Sequence, residues 1–166
     1  MTNAIVYSSR TGNTKLLAET IQNQIPNDQL LYFGTPDAEA LKADRIYVGF
    51  WTDKGSCDEQ TAAFLKTVTN QEIYLFGTAG FGENQEYFEK VLKRTEKYLT
   101  SGVRIAGTFM CQGKMPITVR QRYEKMMKSP IRVPNLQEMI ENFDKALSHP
   151  DPEDLERLRK NLSTLP

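Results

Sequence analysis

The chain has 166 residues, 39% of them hydrophobic and 25% charged, and its 21 Lys plus Arg balance 21 Asp plus Glu for a formal net charge of zero. This size and composition predict one globular domain over 1–166 with a buried core, and exclude a collagen, a coiled coil or a disordered tail. The zero balance argues against nucleic acid as a partner, because such binding needs surplus Lys and Arg to replace phosphate counterions.

Short β-rich runs alternate with longer helical patterns. Ala4-Ile5-Val6-Tyr7-Ser8 reads as a buried strand, and Leu16, Leu17, Thr20, Ile21 and Ile25 then recur at helical spacing up to Pro26. Leu30 to Phe33 form a second strand, stopped by Gly34 and Pro36, and Arg45 to Trp51 a third. Thr61, Phe64, Leu65 and Val68 mark the next helix, Glu72 to Gly77 the fourth strand, and Phe88, Val91, Leu92 and Leu99 the helix after it. Val103 to Met110 form the fifth strand, followed by a basic segment and a helix carrying Leu136, Met139, Ile140, Phe143 and Leu147. A last helix is expected over 151–163, with Asp151 as N-cap, Pro152 at the first helical position and acids at the positive helix end. Read as strand and helix in strict alternation, with continuous apolar strands, this order implies a parallel sheet covered by helices on both faces.

No run approaches the roughly 20 successive apolar residues of a membrane span. The opening Met1-Thr2-Asn3-Ala4 lacks the basic start and apolar stretch of a signal peptide, so a cytoplasmic location is expected. Cys57 and Cys111 lie far apart without a CxxC or a histidine cluster, which predicts free thiols and no metal site. His149, the sole histidine, sits beside Pro150 in a linker, where a capping or surface role is expected.

In a doubly wound sheet, ligands bind beyond the C-terminal ends of the strands. The first such loop is Ser8-Ser9-Arg10-Thr11-Gly12-Asn13-Thr14. Hydroxyls at Ser9, Thr11 and Thr14 surround Gly12 just where a helix start offers free N–H groups, which predicts a phosphate nest. A ligand-free helix cap explains one hydroxyl, not three. The loop is neither a P-loop nor GxGxxG, so nucleoside triphosphates and NAD are not favoured.

Ser9-Arg10-Thr11-Gly12-Asn13-Thr14 resembles the FMN-phosphate motif of the flavodoxin family, Ser/Thr-x-Thr-Gly-x-Thr, at every specified position. The resemblance covers about residues 4 to 111 in element order. It implies a flavodoxin-like α/β fold: a doubly wound five-stranded parallel sheet in the order 2-1-3-4-5, with a core over about 1–148 and an extra C-terminal helix. It also implies FMN as cofactor, an electron-transfer role and a redox partner protein. In that frame, Trp51, Thr52, Asp53, Lys54 and Gly55 border the flavin ring with Trp51 stacked on it, and Thr78, Ala79, Gly80 and Phe81 lie at its pyrimidine edge, with Tyr87 as a less favoured second wall.

Family members often place a glycine peptide beside the flavin, where it flips on reduction. Here Thr52-Asp53 follow Trp51, with glycine only at Gly55, and a β-branched Thr resists positive φ. Gln112-Gly113-Lys114-Met115-Pro116 and the tail resemble the small flavodoxin subfamily that accompanies anaerobic bilirubin reductases, which implies delivery of electrons to a tetrapyrrole-reducing partner. Many flavodoxins are strongly acidic, whereas this chain holds six bases (Lys114, Arg120, Arg122, Lys125, Lys128 and Arg132) against Glu124 between Gln112 and Val133. That segment reads either as a solvated helical face or as a docking patch for an acidic partner. The competing function is an FMN-dependent oxidoreductase on the same fold, such as a quinone reductase or a protoporphyrinogen oxidase, with 114–134 covering a substrate. A response-regulator receiver is disfavoured, since Ser8-Ser9 replace the acids it needs after the first strand.

Overall fold

The computed structural model describes residues 1–82 and 84–166. Five parallel strands run β1 (Asn3–Tyr7), β2 (Leu30–Gly34), β3 (Arg45–Asp53), β5 (Glu72–Ala79) and β6 (Ile105–Gln112). They lie side by side as β2-β1-β3-β5-β6, and a two-residue strand β4 (Ser56–Cys57) pairs antiparallel with the end of β3. Leaving β4 aside, this is the expected 2-1-3-4-5 order.

Successive side chains of each strand point to opposite faces, and both faces are apolar. Ala4, Val6, Ile46, Val48, Phe50, Ile73 and Leu75 pack against α2 (Glu59–Leu65) and α3 (Gln85–Glu96) on one side. Ile5, Tyr47, Tyr74, Phe76 and Phe109 pack on the other side against Leu17, Ala18 and Ile21 of α1 (Asn13–Gln22) and Leu158 of α6 (Pro152–Ser163). The helix expected at 151–163 is therefore a full partner of the sheet: Leu158 is wholly buried, and Tyr74 donates its hydroxyl to Asn161 Oδ1 at 2.6 Å. Asp151 caps it as expected, accepting the Asp154 N–H at 2.8 Å in a capping box with Pro152 behind it.

One expectation is corrected and one element is added. Strict alternation called for a helix between the second and third strands, but that connection holds only a 3₁₀ turn, Ala38–Lys42, capped by Asp37 Oδ1 accepting the Glu39 N–H at 2.9 Å. Asp37 and Ala43, both extended, bound the turn at five residues. The basic segment after β6, for which a solvated helical face is one of two readings, is a helix, α4 (Ile117–Met127), which pairs with α5 (Leu136–Ala146). Tyr123, Leu136, Ile140 and Phe143 form a small core between them, separate from the two flanking the sheet. This excursion leaves and rejoins the fold at one point, where the Lys114 N–H donates to the His149 carbonyl at 2.9 Å. No helix among the described residues is long and apolar enough to cross a membrane.

Candidate functional site

At the C-terminal end of β1 the chain turns into α1 through Gly12, which caps the helix in the left-handed conformation (φ 89°). An L side chain is strained there even though nothing crowds the position, so φ is what calls for glycine. Ser9 Oγ accepts the Gly12 N–H at 3.1 Å and reaches the Lys15 N–H at 3.4 Å. The N–H groups of Thr11, Asn13 and Thr14 have no acceptor among the described residues. The positive end of the helix lies behind them, so the turn offers unpaired donors at a helix start.

The three hydroxyls do not act alike. Thr14 is buried, its Oγ1 donating to the Phe50 carbonyl at 3.1 Å and lying 3.3 Å from Thr78 Oγ1, so it ties α1 to β3 and β5. Thr11 Oγ1 and Asn13 Nδ2 both donate to the Lys114 carbonyl, at 3.3 and 2.8 Å, which latches the first loop to the loop after β6.

Beside this helix start lies a cleft of about 420 Å³. The first loop contributes Arg10, Thr11 and Asn13, and the end of β3 contributes Trp51, Thr52, Asp53, Lys54 and Gly55. Thr78, Gly80 and Phe81 come from β5 and the loop after it, and Tyr87 from α3. Four predicted residues are not on its wall. Ser9, Gly12 and Thr14 stand behind it as loop and helix-start framework, and the Ala79 side chain faces the core while its carbonyl accepts the Gly113 N–H at 3.0 Å.

The third-strand loop proves to be a hairpin. Thr52 pairs with Cys57 and Asp53 with Ser56, and Lys54 (φ 52°) and Gly55 (φ 80°) form the tight turn, both in the left-handed region as a type I′ turn requires. The glycine is thus used at the tip. Thr52 Oγ1 donates to the Thr78 carbonyl at 2.8 Å, and Arg94 Nη1 to the Gly55 carbonyl at 3.2 Å, so both ends of the hairpin are held. Trp51 is half-buried, with the Arg10 guanidinium 5.5 Å from its ring centroid, a cation–π distance. Phe81 is 45% exposed across the cleft, an orientation that leaves a large apolar ring free for a ligand.

Gly113, Met115, Pro116, Val119 and Arg122 also line the cleft, a segment that the sequence reading brought to it only in the competing form of 114–134 covering a substrate. The stripe Val119, Tyr123, Met126 was the available signal, diluted by the bases between. Met115 lies flat on Gly80, where an added Cβ would stand 2.4 Å from Met115 Cγ. Both thiols are buried and lie off the cleft wall; burial pushes Cys57 up to about 11 and Cys111 higher still. His149 Nδ1 lies 2.6 Å from Asp154 Oδ2 in the α6 cap, away from the cleft. A larger hollow of about 600 Å³ sits at the starts of the strands, between residues 41–44, 69–72 and 102–104, the end of a parallel sheet that does not carry ligand sites.

A doubly wound sheet in this strand order, with a bare helix start, a rim tryptophan and a glycine loop converging at the strand ends, defines a flavodoxin-type α/β protein. The flavodoxin domain family matches residues 4–163, and the chain belongs to it. It is similar to the flavodoxin-like domain-containing protein BilS of Clostridium symbiosum (strain WAL-14163), 37% identical over 92% of this chain and 89% of that one. The protein of the same description from Clostridioides difficile (strain CD3) is 32% identical over 93% of this chain and 90% of that one. Among solved structures, a short-chain flavodoxin associated with a non-canonical PDU bacterial microcompartment aligns with a TM-score of 0.55 at 18% identity, covering 87% of this chain and 98% of that one. The flavodoxin of Streptococcus pneumonia TIGR4 aligns at 0.53 and 14% identity, covering 89% and 98%. At these identities the structures speak to the fold.

Proposed function

We propose that this protein binds FMN in the cleft and carries electrons to a partner reductase. The observation that carries this reading is the set of unpartnered N–H groups of Thr11, Asn13 and Thr14, at a helix start that opens onto a cleft walled by Trp51 and Phe81. These residues fit the group: the helix start and the Thr11 loop suit a phosphate, and the aromatic side chains suit a planar ring. Bound FMN supplies the electron-transfer chemistry, and the protein supplies grip, stacking and electrostatics. Arg10 and Lys114 add positive charge near the anion, and the Thr52 and Arg94 hydrogen bonds hold the hairpin that carries Trp51.

An electron carrier fits better than an enzyme with its own acid–base groups, because the cleft wall among the described residues offers Asp53, Tyr87 and cations but no histidine or thiol. The oxidoreductase reading draws on the apolar wall of Met115, Pro116 and Val119 beside Arg122, which would suit an organic acceptor. The partner we favour is a tetrapyrrole-reducing enzyme, the class to which the sequence resemblance points. It would meet the exposed Arg122, Lys125, Lys128 and Arg132, which have no ion-pair partner among the described residues. The unbridged buried thiols suit a reducing cytoplasm.

Purified protein is expected to carry FMN, identified after release, and the apoprotein to quench added FMN fluorescence. Trp51→Ala is expected to weaken that binding by tenfold or more, on the order of the stacking contribution of one aromatic ring. A colourless protein that takes up no FMN overturns the reading. Oxidation of NAD(P)H by the loaded protein without a partner would favour the enzyme over the carrier.

A further inference from the structure

The loop after β5 carries Gly80, Phe81 and Gly82, a backbone with little of its own to fix it: two glycines, one at φ 78°, around an exposed ring. What fixes it comes from the inserted helix α5. Asn142 Nδ2 donates to the Gly80 carbonyl at 2.9 Å, and Asn142 Oδ1 receives the Gly82 N–H at 3.4 Å. Buried Gln112, at the end of β6, donates Nε2 to the same Gly80 carbonyl and to Asn142 Oδ1, each at 3.1 Å. Donors and acceptors around the two amides allow one orientation of each. Met115 holds the loop from the cleft side by packing on Gly80.

We propose that Asn142, steadied by Gln112, is a positioning residue that turns the Gly80–Phe81 peptide so that the Phe81 N–H faces the cleft as a donor to the flavin ring. The geometry rests on peptide planarity. In a trans peptide the carbonyl and the following N–H point in opposite directions. The Gly80 carbonyl is tied back to α5 and β6, so the Phe81 N–H points away from them, and it has no acceptor among the described residues. Gly80 and Phe81 both line the cleft. A donor there suits the carbonyl oxygens of a planar heteroaromatic ring. Losing the clamp frees a glycine peptide to rotate. The inference rests on the FMN reading above and adds to it that α5, a helix outside the layers of the sheet, sets the ligand-facing backbone.

The test is FMN titration of the apoprotein, together with the absorption spectrum and midpoint potential of the loaded protein. Asn142→Leu is expected to raise the FMN dissociation constant about tenfold, the effect of losing one or two hydrogen bonds at a binding site, and to shift both spectrum and potential. Asn142→Asp keeps the acceptor for Gly82 and Gln112 but sets a carboxylate oxygen against the Gly80 carbonyl, acceptor facing acceptor, so a change in the same direction at least as large as that of Asn142→Leu is expected. Asp144→Ala, two residues on in the same helix, breaks its two bonds to Arg120 without touching the loop. It is expected to lower the melting temperature and leave affinity, spectrum and potential unchanged. If wild-type protein binds FMN while both Asn142 variants match it in affinity and spectrum, the clamp is overturned and the FMN site stands. If Asp144→Ala shifts affinity and spectrum as much as Asn142→Leu, loosening of α5 is the cause and positioning is overturned. Wild-type protein that binds no FMN overturns both.

Discussion

Cys57 and Cys111 illustrate how burial sets chemistry at single residues. Desolvation penalises the thiolate, holding Cys57 at about 11 and Cys111 above it. At pH 8 only about one Cys57 in a thousand carries the nucleophilic thiolate, and access is poor as well. Both thiols are expected to ignore a disulfide reagent in the native protein at pH 8 and to react in denaturant. Rapid native-state labelling of either one would contradict this. Trp51 and the Thr-Gly loop were legible as residues of the strand-end rim because each directly follows a strand. Asn142 was not legible. Nothing in the run Ile140-Glu141-Asn142-Phe143 distinguishes an asparagine that grips a distant loop from one facing water. Thr14 carries the same lesson, since its hydroxyl is spent on the Phe50 carbonyl rather than turned to the cleft.

Among the elements, α6 and the α4–α5 pair differ in what holds them. Leu158 of α6 is wholly buried among Ile5, Leu17 and Phe109, so Leu158→Ala leaves a cavity against a close-packed sheet. It is expected to cost about 2–5 kcal/mol, lowering the melting temperature by roughly 5–15 °C in a chain of this size. A shift of under about 2 °C would mean that the helix does not pack as described. The α4–α5 pair has a thinner core and an ion-pair clamp, Arg120 donating through Nε to Asp144 Oδ1 at 2.9 Å and through Nη1 to Glu124. The hydrogen bond to Arg120 holds the Asp144 carboxyl below its ordinary value of 3.8. A depressed carboxylate pKa stabilises the fold above that ordinary value and ceases to do so as pH falls through the lowered one. Asp144→Asn is therefore expected to remove the extra acid sensitivity of α4–α5 below about pH 4, read by hydrogen exchange of the α4 amides. Equal acid sensitivity in wild type and variant would show that the clamp is idle. Strands and sheet-packed helices were readable because their apolar periodicity is strong. The helix α4 was legible only as one of two readings because its single fully buried side chain, Tyr123, is flanked by charge.

For the whole molecule, zero net charge is a cancellation of unlike regions. Lys125, Lys128 and Arg132 are exposed on the inserted pair beside the cleft, whereas Arg120, in the same run, is committed to Asp144 and Glu124. A charge-reversal test of docking belongs on the free bases. If the proposed partner reductase docks here, Lys125→Glu with Lys128→Glu is expected to slow its reduction about tenfold at low salt and to flatten the salt dependence, as steering across a Debye length of about 10 Å would require. An unchanged rate at low salt would remove the docking role.

By itself, the sequence determined the strands, the parallel sheet and the helix-start loop, because burial periodicity and turn chemistry are local and survive without knowledge of contacts, while the strand order came from the family resemblance. The tertiary structure alone decided three things. The third-strand loop closes as a hairpin with its glycine at the tip, α4 forms a wall of the cleft, and the loop after β5 is gripped by Asn142 from α5. The hairpin pairs residues only three and five positions apart but is held from outside by Thr78 and Arg94, and the other two join residues dozens of positions apart, pairings that leave no periodic trace in the chain that makes them.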